Sequence, residues 1–401
     1  MKSSPMPIRH FTIGIYDGPH ATPKPSNEGP IFLGIKNVTQ DGRLDFGEIR
    51  HVSEAEFPKW TRRVRPQKDD IIFSYEATLH RYALIPEGFE GCLGRRMALV
   101  RPDRKKVDPR FLHYYFLSPV WHAKMDAITI TGATVNRIPL TSFPDTRVSF
   151  PKLNKQVTIA SILSAYDDLI ENNRRRIALL EEAARLLYRE WFVHFRFPGH
   201  EHVKFVDGIP EGWERRTLAD IAQTNRDSYR AKELPEELNY IDISSVAQGR
   251  ILSKNRVAST EAPGRARRKA RDGDVIWSNV RPNLRAYALV LEPNQNDVFS
   301  TGFTVLSATE VPFTWLYLLV TTDRFVGHLV NHATGAGYPA VRPDDFERAT
   351  VAFPRKAVLN LFHKSTEPKF RLISKLEKQN QKLAQARDLL LPRLMSGEVK
   401  V

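Results

Sequence analysis

The chain has 401 residues, with 60 Lys and Arg against 46 Asp and Glu, a formal net charge of +14. Hydrophobic content of 41% and charged content of 26% are ordinary globular values, and the length calls for two or three domains. The positive excess points to a polyanionic partner, while a single cysteine, Cys92, excludes an intramolecular disulfide and suits a reducing cytosol.

Met1 to His10 holds charges and two prolines but no apolar core of a targeting signal. Short β-type runs follow at residues 31–35 and 71–75, broken by Gly and Pro. Asp70-Ile-Ile-Phe-Ser74 leads into the polar segment Ser74-Tyr-Glu-Ala-Thr-Leu-His-Arg81, and then Tyr82-Ala-Leu84. Basic clusters flank these runs: Arg62, Arg63, Arg65 and Lys68, then Arg95, Arg96, Arg101, Arg104, Lys105 and Lys106. A helix-like stretch at 111–117 precedes a Thr-Gly-Ala segment running from Thr131 through Thr134 and Asn136 to Arg137.

A long polar helix is expected over 155–192. Tyr166, Ile170, Ile177, Leu180, Ala184, Leu187 and Trp191 recur at steps of three and four, a heptad seam whose polar slot is Asn173. His200 and His202 flank Glu201 in a Pro-Gly linker and read as solvated.

The next half repeats the first. Ile243 and Val246 parallel Ile35 and Val38; Asp274-Val-Ile-Trp-Ser278 parallels Asp70 to Ser74; Tyr287-Ala-Leu289 parallels Tyr82 to Leu84. A basic cluster recurs at Arg265, Arg267, Arg268, Lys269 and Arg271, and a β-type run at 304–306 precedes a helix-like stretch at 314–320. Thr334 of the second Thr-Gly-Ala lies 203 positions after Thr131, and Phe353-Pro354 lies the same distance after Phe150-Pro151. The order holds while the offset drifts by a few residues, as two copies with loop insertions behave. The second long helix carries Ile373, Leu376, Leu383, Leu390 and Leu394 on its seam, with Asn380 as polar slot. Pro368 stands where the first copy has Ala165, so this helix is expected to start near Pro368, after a short separate helix.

Neither seam is hidden by one helix alone, so the two are expected to pack antiparallel. A helix of about 35 residues is roughly 50 Å long, which would set a mixed domain at each end of a rod. The fold class expected is α+β: two pseudo-symmetric mixed α/β domains separated by a pair of long antiparallel coiled-coil helices. The domains are 1–152, a spacer helix 153–197, 198–355, and a closing helix and tail 356–401. Leu186, Leu389 and Trp191 or Phe192, beside the seam, are expected at the surface as partner contacts.

Enzyme signatures are missing. There is no Gly-Lys dipeptide for a P-loop, no Gly-x-Gly-x-x-Gly, no His-Glu-x-x-His, and no Asn-Pro-Pro or Asp-Pro-Pro tetrad; one cysteine allows no Cys-rich zinc site. The most apolar stretch, 311–320, is too short to span a bilayer, so no membrane is expected and the compartment expected is the cytoplasm.

The basic clusters suit phosphate contacts, which position a protein on DNA without reading sequence. Two repeated segments suit base edges. The first offers Ser74, Thr78, His80 and Arg81 in one copy, and Ser278, Asn279, Arg281, Asn283 and Arg285 in the other. The second offers Thr131, Thr134, Asn136 and Arg137, and then Thr334, Tyr338 and Arg342. Asn pairs with adenine and Arg with guanine in the major groove. The scaffold repeats while the polar side chains differ, as two readers of different sequences would; equally, the segments read as structural turns.

The residues resemble the specificity subunit of Type I restriction–modification systems over nearly the whole chain. The resemblance rests on Asp17-Gly-Pro-His-Ala-Thr-Pro23 with Phe32-Leu33, on Ile170-Glu-Asn-Asn-Arg-Arg-Arg-Ile-Ala-Leu-Leu-Glu-Glu-Ala-Ala184 with Trp191-Phe192, on Ile209-Pro-Glu-Gly-Trp-Glu214, and on Asp388-Leu-Leu-Leu-Pro-Arg-Leu-Met-Ser-Gly-Glu398. It implies a non-catalytic phage-defence subunit that reads a bipartite, asymmetric site in double-stranded DNA. It also implies two adenine-N6 methyltransferase subunits on the helices and an ATP-dependent restriction and translocase subunit. No cofactor is expected in this chain; S-adenosylmethionine, ATP and Mg would sit on the partners. Two other readings stay open: a specificity partner of a Type IIB-like enzyme, and a coiled-coil adaptor that binds no nucleic acid.

An antiparallel two-fold pairing that sets Asn173 against Asn380 also sets Ile177 against Leu376, amide with amide and aliphatic with aliphatic. Such a register would make the rod a ruler for the gap between half-sites, with centres roughly one DNA turn apart.

Overall fold

The computed structural model describes residues 4–132, 135–399 and 401. The chain divides into two units. The first comprises residues 1–172 and 379–401, the second 173–378, so each takes a share of both long helices.

In the first unit Thr12–Asp17, Met97–Pro102, Ile71–Ser74 and Tyr82–Leu84 lie side by side in that order as an antiparallel sheet. A second sheet pairs Ser26–Leu33 in parallel with Gly91–Leu93. The second unit repeats this order with Ala222–Thr224, Phe303–Ala308, Val275–Ser278 and Tyr287–Leu289, and pairs Glu237–Ile241 in parallel with Asp297–Ser300. The same strand order in one sheet and the same parallel pair in another, in both units, are the structural form of the duplication. The aspartate before each central strand has a fixed task. Asp70 accepts from the Gln67 amide (2.8 Å) and Asp274 from the Arg271 amide (2.7 Å), closing the same turn in both copies.

Each sheet is covered by a helix pair: Pro109–Leu117 with Pro119–Ile128, and Phe313–Val320 with Asp323–His332. The apolar character of 111–117 and 314–320 predicts the first of each pair. The second of each is an addition, and its start is local chemistry. Ser118 caps the Trp121 amide and Thr322 the Phe325 amide; Ser118 also ends the helix before it, a task that falls to Thr321 in the second unit. Buried Trp121 and Trp315 join these helices to the cores of their units.

The long helices are Leu153–Tyr188, prolonged by a π-turn at Arg189–Val193, and Lys356–Ser396. They run antiparallel. In the second unit Tyr188, Trp191 and Phe192, at the end of one, pack on Phe362 near the start of the other, with ring centroids 6.1, 5.8 and 4.9 Å away. The seam residues Ile170, Ile177, Ala184, Ile373, Leu376 and Leu394 are buried, as is Asn173, while Asn380 is half-buried. Ile177 and Leu376 share the apolar cluster of the second unit.

Two expectations about these helices are corrected. The helix continues unbroken through Pro368 rather than starting there. Pro368 itself is exposed, while Phe362 and Phe370 on either side of it are buried in the core of the second unit, and this packing holds the helix across the proline. Trp191 and Phe192 are buried rather than exposed, because Phe362 and Trp213 cover them. Leu186 and Leu389 do lie at the surface.

Candidate nucleic-acid interface

In the first unit the central strand ends on Ser74, and the chain turns sharply through Ala77 (φ 66°) and His80 (φ 61°). Side chains rarely adopt this left-handed backbone, so tertiary contacts hold it. The Ala77 amide donates to the Asn136 carbonyl (3.0 Å), and the Ile138 amide to the Tyr75 carbonyl (2.8 Å). Ile130 and Arg137 exchange both backbone bonds (2.9 and 3.1 Å), bringing the two ends of the Thr-Gly-Ala segment together. The two candidate segments, far apart in sequence, thus form one surface.

The second unit builds the same surface. Arg281 (φ 50°) and Arg285 (φ 56°) supply the left-handed turns. The Arg281 amide donates to the Pro339 carbonyl (2.7 Å) and the Val341 amide to the Asn279 carbonyl (2.9 Å). Thr334 and Ala340 exchange both bonds at 2.9 Å. Arg281 therefore occupies the backbone position that Ala77 holds in the first unit.

The candidate side chains divide into anchors and exposed groups. Ser74 and Ser278 are buried, so neither faces a ligand: Ser74 donates to the Thr78 carbonyl and Ser278 to the Val280 carbonyl, each holding its turn. Asn279 is also an anchor, its side-chain oxygen accepting from Thr304 (2.7 Å). Half-buried Arg81 donates to the Val38 carbonyl (2.8 Å), and Arg285 reaches Asp323 (2.5 Å). His80 meets Asp126 (2.7 Å), and its ring lies 4.3 Å from that of His122. Burial, and then the charge of His80, hold His122 below the ordinary histidine value. Thr78, Thr131, Asn136 and Arg137 are exposed in the first unit, and Arg281, Asn283, Thr334, Tyr338 and Arg342 in the second. Thr134 lies outside the described residues.

Much of the basic charge is engaged within the protein. Arg101 grips buried Asp70 with two bonds (2.9 and 2.7 Å). Arg65 meets Glu90, Lys68 Glu87, Arg104 Asp69 and Arg271 Asp227, all at 2.6–2.7 Å. Lys269 lies over the Tyr229 ring at 4.0 Å. These clusters therefore offer phosphates less free charge than their composition suggests.

A difference between the copies escapes the sequence reading. The Tyr75 amide donates to the Arg96 carbonyl (3.2 Å), and the Asn279 amide to the Gly302 carbonyl (2.8 Å). The first unit thus carries Arg95-Arg96 on a turn where the second carries Thr301-Gly302. Arg95 and Arg96 join Lys36 and Arg50 around a cavity of about 510 Å³, beside the loop surface.

Among the described residues no group of His, Cys, Asp and Glu is placed to hold a metal ion, and no helix is long and apolar enough to cross a membrane.

Fold and surface together define a duplicated α+β protein in which each repeat presents one two-loop face. A sequence model of the Type I restriction modification DNA specificity domain matches residues 39–182. The chain is 23% identical over 397 residues to the Type I restriction enzyme MjaIX specificity subunit of Methanocaldococcus jannaschii, covering 96% of this chain and 87% of that one. It is 21% identical over 401 residues to the HindI specificity subunit of Haemophilus influenzae, covering 83% and 87%. Its fold matches the crystal structure of a Type I restriction–modification S subunit from M. genitalium with a TM-score of 0.57, at 15% identity, over 98% of this chain and 95% of that one. Over nearly its whole length the chain is thus similar to specificity subunits of Type I restriction–modification systems.

Proposed function

We propose that the chain reads a bipartite, asymmetric site in double-stranded DNA, with residues 1–152 reading one half and 198–355 the other. The observation that carries this is the repeated loop pair. Both units use the same backbone bonds to present the surface, yet Ala77 and Asn136 stand on it in one, and Arg281 and Tyr338 in the other. One scaffold with different donors and acceptors suits two readers of different half-sites.

The long helices, 153–197 and 356–401, are the spacer and the scaffold of the complex. Leu179, Leu186 and Val193 form an exposed stripe at intervals of seven on the first helix and its π-turn, suited to a methyltransferase helix. Two adenine-N6 methyltransferase subunits would bring S-adenosylmethionine, and an ATP-dependent restriction and translocase subunit would bring ATP and Mg. In this reading the chain itself catalyses nothing. The register of Asn173 with Asn380 and Ile177 with Leu376 belongs to the same proposal, as the device that sets the gap between half-sites.

The test is exchange. Residues 1–150 are replaced with the matching region of a relative, and the adenine-methylation motif is read in a host that also expresses the methyltransferase. One half of the motif should change and the other persist, with residues 205–355 governing the second half. A swap that changes both halves together refutes the proposal.

A further inference from the structure

Arg281 is the exposed arginine at the centre of the second unit's loop surface, and its setting is unusual in three respects. Its backbone is left-handed and tied to the Pro339 carbonyl. Its guanidinium carbon lies 4.7 Å from the centroid of the Tyr338 ring. Its Nη2 donates to the Gly337 carbonyl (3.2 Å). The next residue, Pro282, is buried and opens the short turn Pro282–Leu284. The side chain is thus held from below by the backbone, on one face by an aromatic ring and at one nitrogen by a carbonyl.

Tyr338 is 74% exposed at the tip of the Thr334 hairpin. A tyrosine so exposed does little for the core; what it touches is the guanidinium. A planar guanidinium stacked on an aromatic ring keeps its outer edge open, and only one of its five N–H groups is needed for Gly337. The free edge matches the paired N7 and O6 acceptors of guanine in the major groove. Because the arginine is restrained before DNA arrives, it has less side-chain freedom to lose on binding.

The other arginines of this face are differently engaged. Arg285 is bound to Asp323, and Arg342 opens a short helix, its amide donating to Asp345. In the first unit the equivalent left-handed position is Ala77, whose amide makes the matching bond but whose side chain is a single methyl group. We infer that the half-site read by the second unit contains a guanine recognised by Arg281, that Tyr338 is the positioning residue for that contact, and that the described residues of the first unit hold no counterpart of this clamp. The inference rests on the DNA-reading function proposed above.

The experiment uses the full chain expressed with its methyltransferase, and reads the methylated motif base by base. Arg281→Gly removes the side chain and suits the left-handed backbone, so the loop keeps its shape. Discrimination at one guanine of the half-site governed by residues 205–355 should fall about ten- to a hundredfold, with the other half-site untouched. Arg281→Lys keeps the charge but lacks the planar fork, and should relax the same position; it decides the matter if Arg281→Gly abolishes methylation. Tyr338→Leu should weaken discrimination at that guanine, and Tyr338→Phe, which keeps the ring face, should restore it. A motif unchanged at every position in Arg281→Gly or Arg281→Lys overturns the guanine contact while leaving the proposed function standing. Tyr338→Leu lowering methylation of all sites alike, with the guanine still required, overturns the positioning role. A wild-type complex that methylates no bipartite motif overturns both the inference and the function beneath it.

Discussion

Replacing Arg387 with methionine tests how the long helices are held together in the first unit. Arg387 lies one heptad beyond Asn380 and one before Leu394, on the apolar seam, and its side chain is 9% exposed. Its guanidinium binds Asp167 on the facing helix and Asp388 on its own (2.8 Å). Asp167 also accepts from the Tyr114 hydroxyl, which ties the helices to the sheet-covering helix Pro109–Leu117. Burial opposes the charge of Arg387, and Asp167 more than restores it, so its pKa lies above the ordinary arginine value and the group stays charged. Methionine keeps the apolar stem and removes the counter-charge of Asp167. Breaking a fully buried pair from one side costs about 3–5 kcal/mol. The Asp167 side chain is 28% exposed, so water recovers part of that, and about 2–3 kcal/mol is expected. Replacing both residues with leucine removes the buried charges but leaves the Tyr114 hydroxyl without its acceptor, and should recover about 1 kcal/mol of that loss. Two units make a single two-state transition a poor assumption. The assay is therefore amide exchange in segments 153–172 and 379–396 across a urea series. A loss below about 0.5 kcal/mol for Arg387→Met, or a double variant as weak as the single one, refutes the reasoning.

Two further outcomes are expected. Burial first, and then Glu181, push the Glu377 carboxyl up to about 6, against the pull of Arg250. A raised folded value favours the protonated form, so this contribution is complete below the unfolded value near 4.5 and is lost as pH rises through about 6. Glu377→Gln should stabilise the chain at pH 8 by under about 1 kcal/mol, since the side chain is 39% exposed, and by nothing at pH 4; an equal gain at both pH values in thermal melts would count against it. Pro368→Ala restores an amide to the second long helix and should raise stability by about 1–2 kcal/mol, after allowing for the freedom returned to the unfolded chain; a lower melting temperature would show that the proline ring is needed for packing.

The duplication and the heptad seams were legible because both are periodic, and period survives in a linear string. Asp70-Ile-Ile-Phe-Ser74 and Asp274-Val-Ile-Trp-Ser278 became the matching central strands. The helices Pro119–Ile128 and Asp323–His332 had a legible signal in Ser118 before Pro119 and Thr322 before Asp323, residue types that cap helix starts. Continuation of the second long helix through Pro368 was not legible, because the burial of Phe362 and Phe370 on either side of it depends on the folded second unit.

What the sequence determined by itself was the existence of two copies, the residue types each offers to a partner, and the faces its long helices must bury. What tertiary structure alone decided was which polar groups remain available. Arg101 and Asp70 stand 31 positions apart and Arg387 and Asp167 stand 220 apart, so their mutual neutralisation depends on strand order and helix packing rather than on neighbours in the chain. The same holds for the candidate surface. The Ala77 amide meets the Asn136 carbonyl, and Arg281 meets Tyr338, only because the sheet brings the end of one strand beneath a distant hairpin. Hydrogen bonds and ring contacts act over a few ångströms, and only the folded backbone determines which residues come that close.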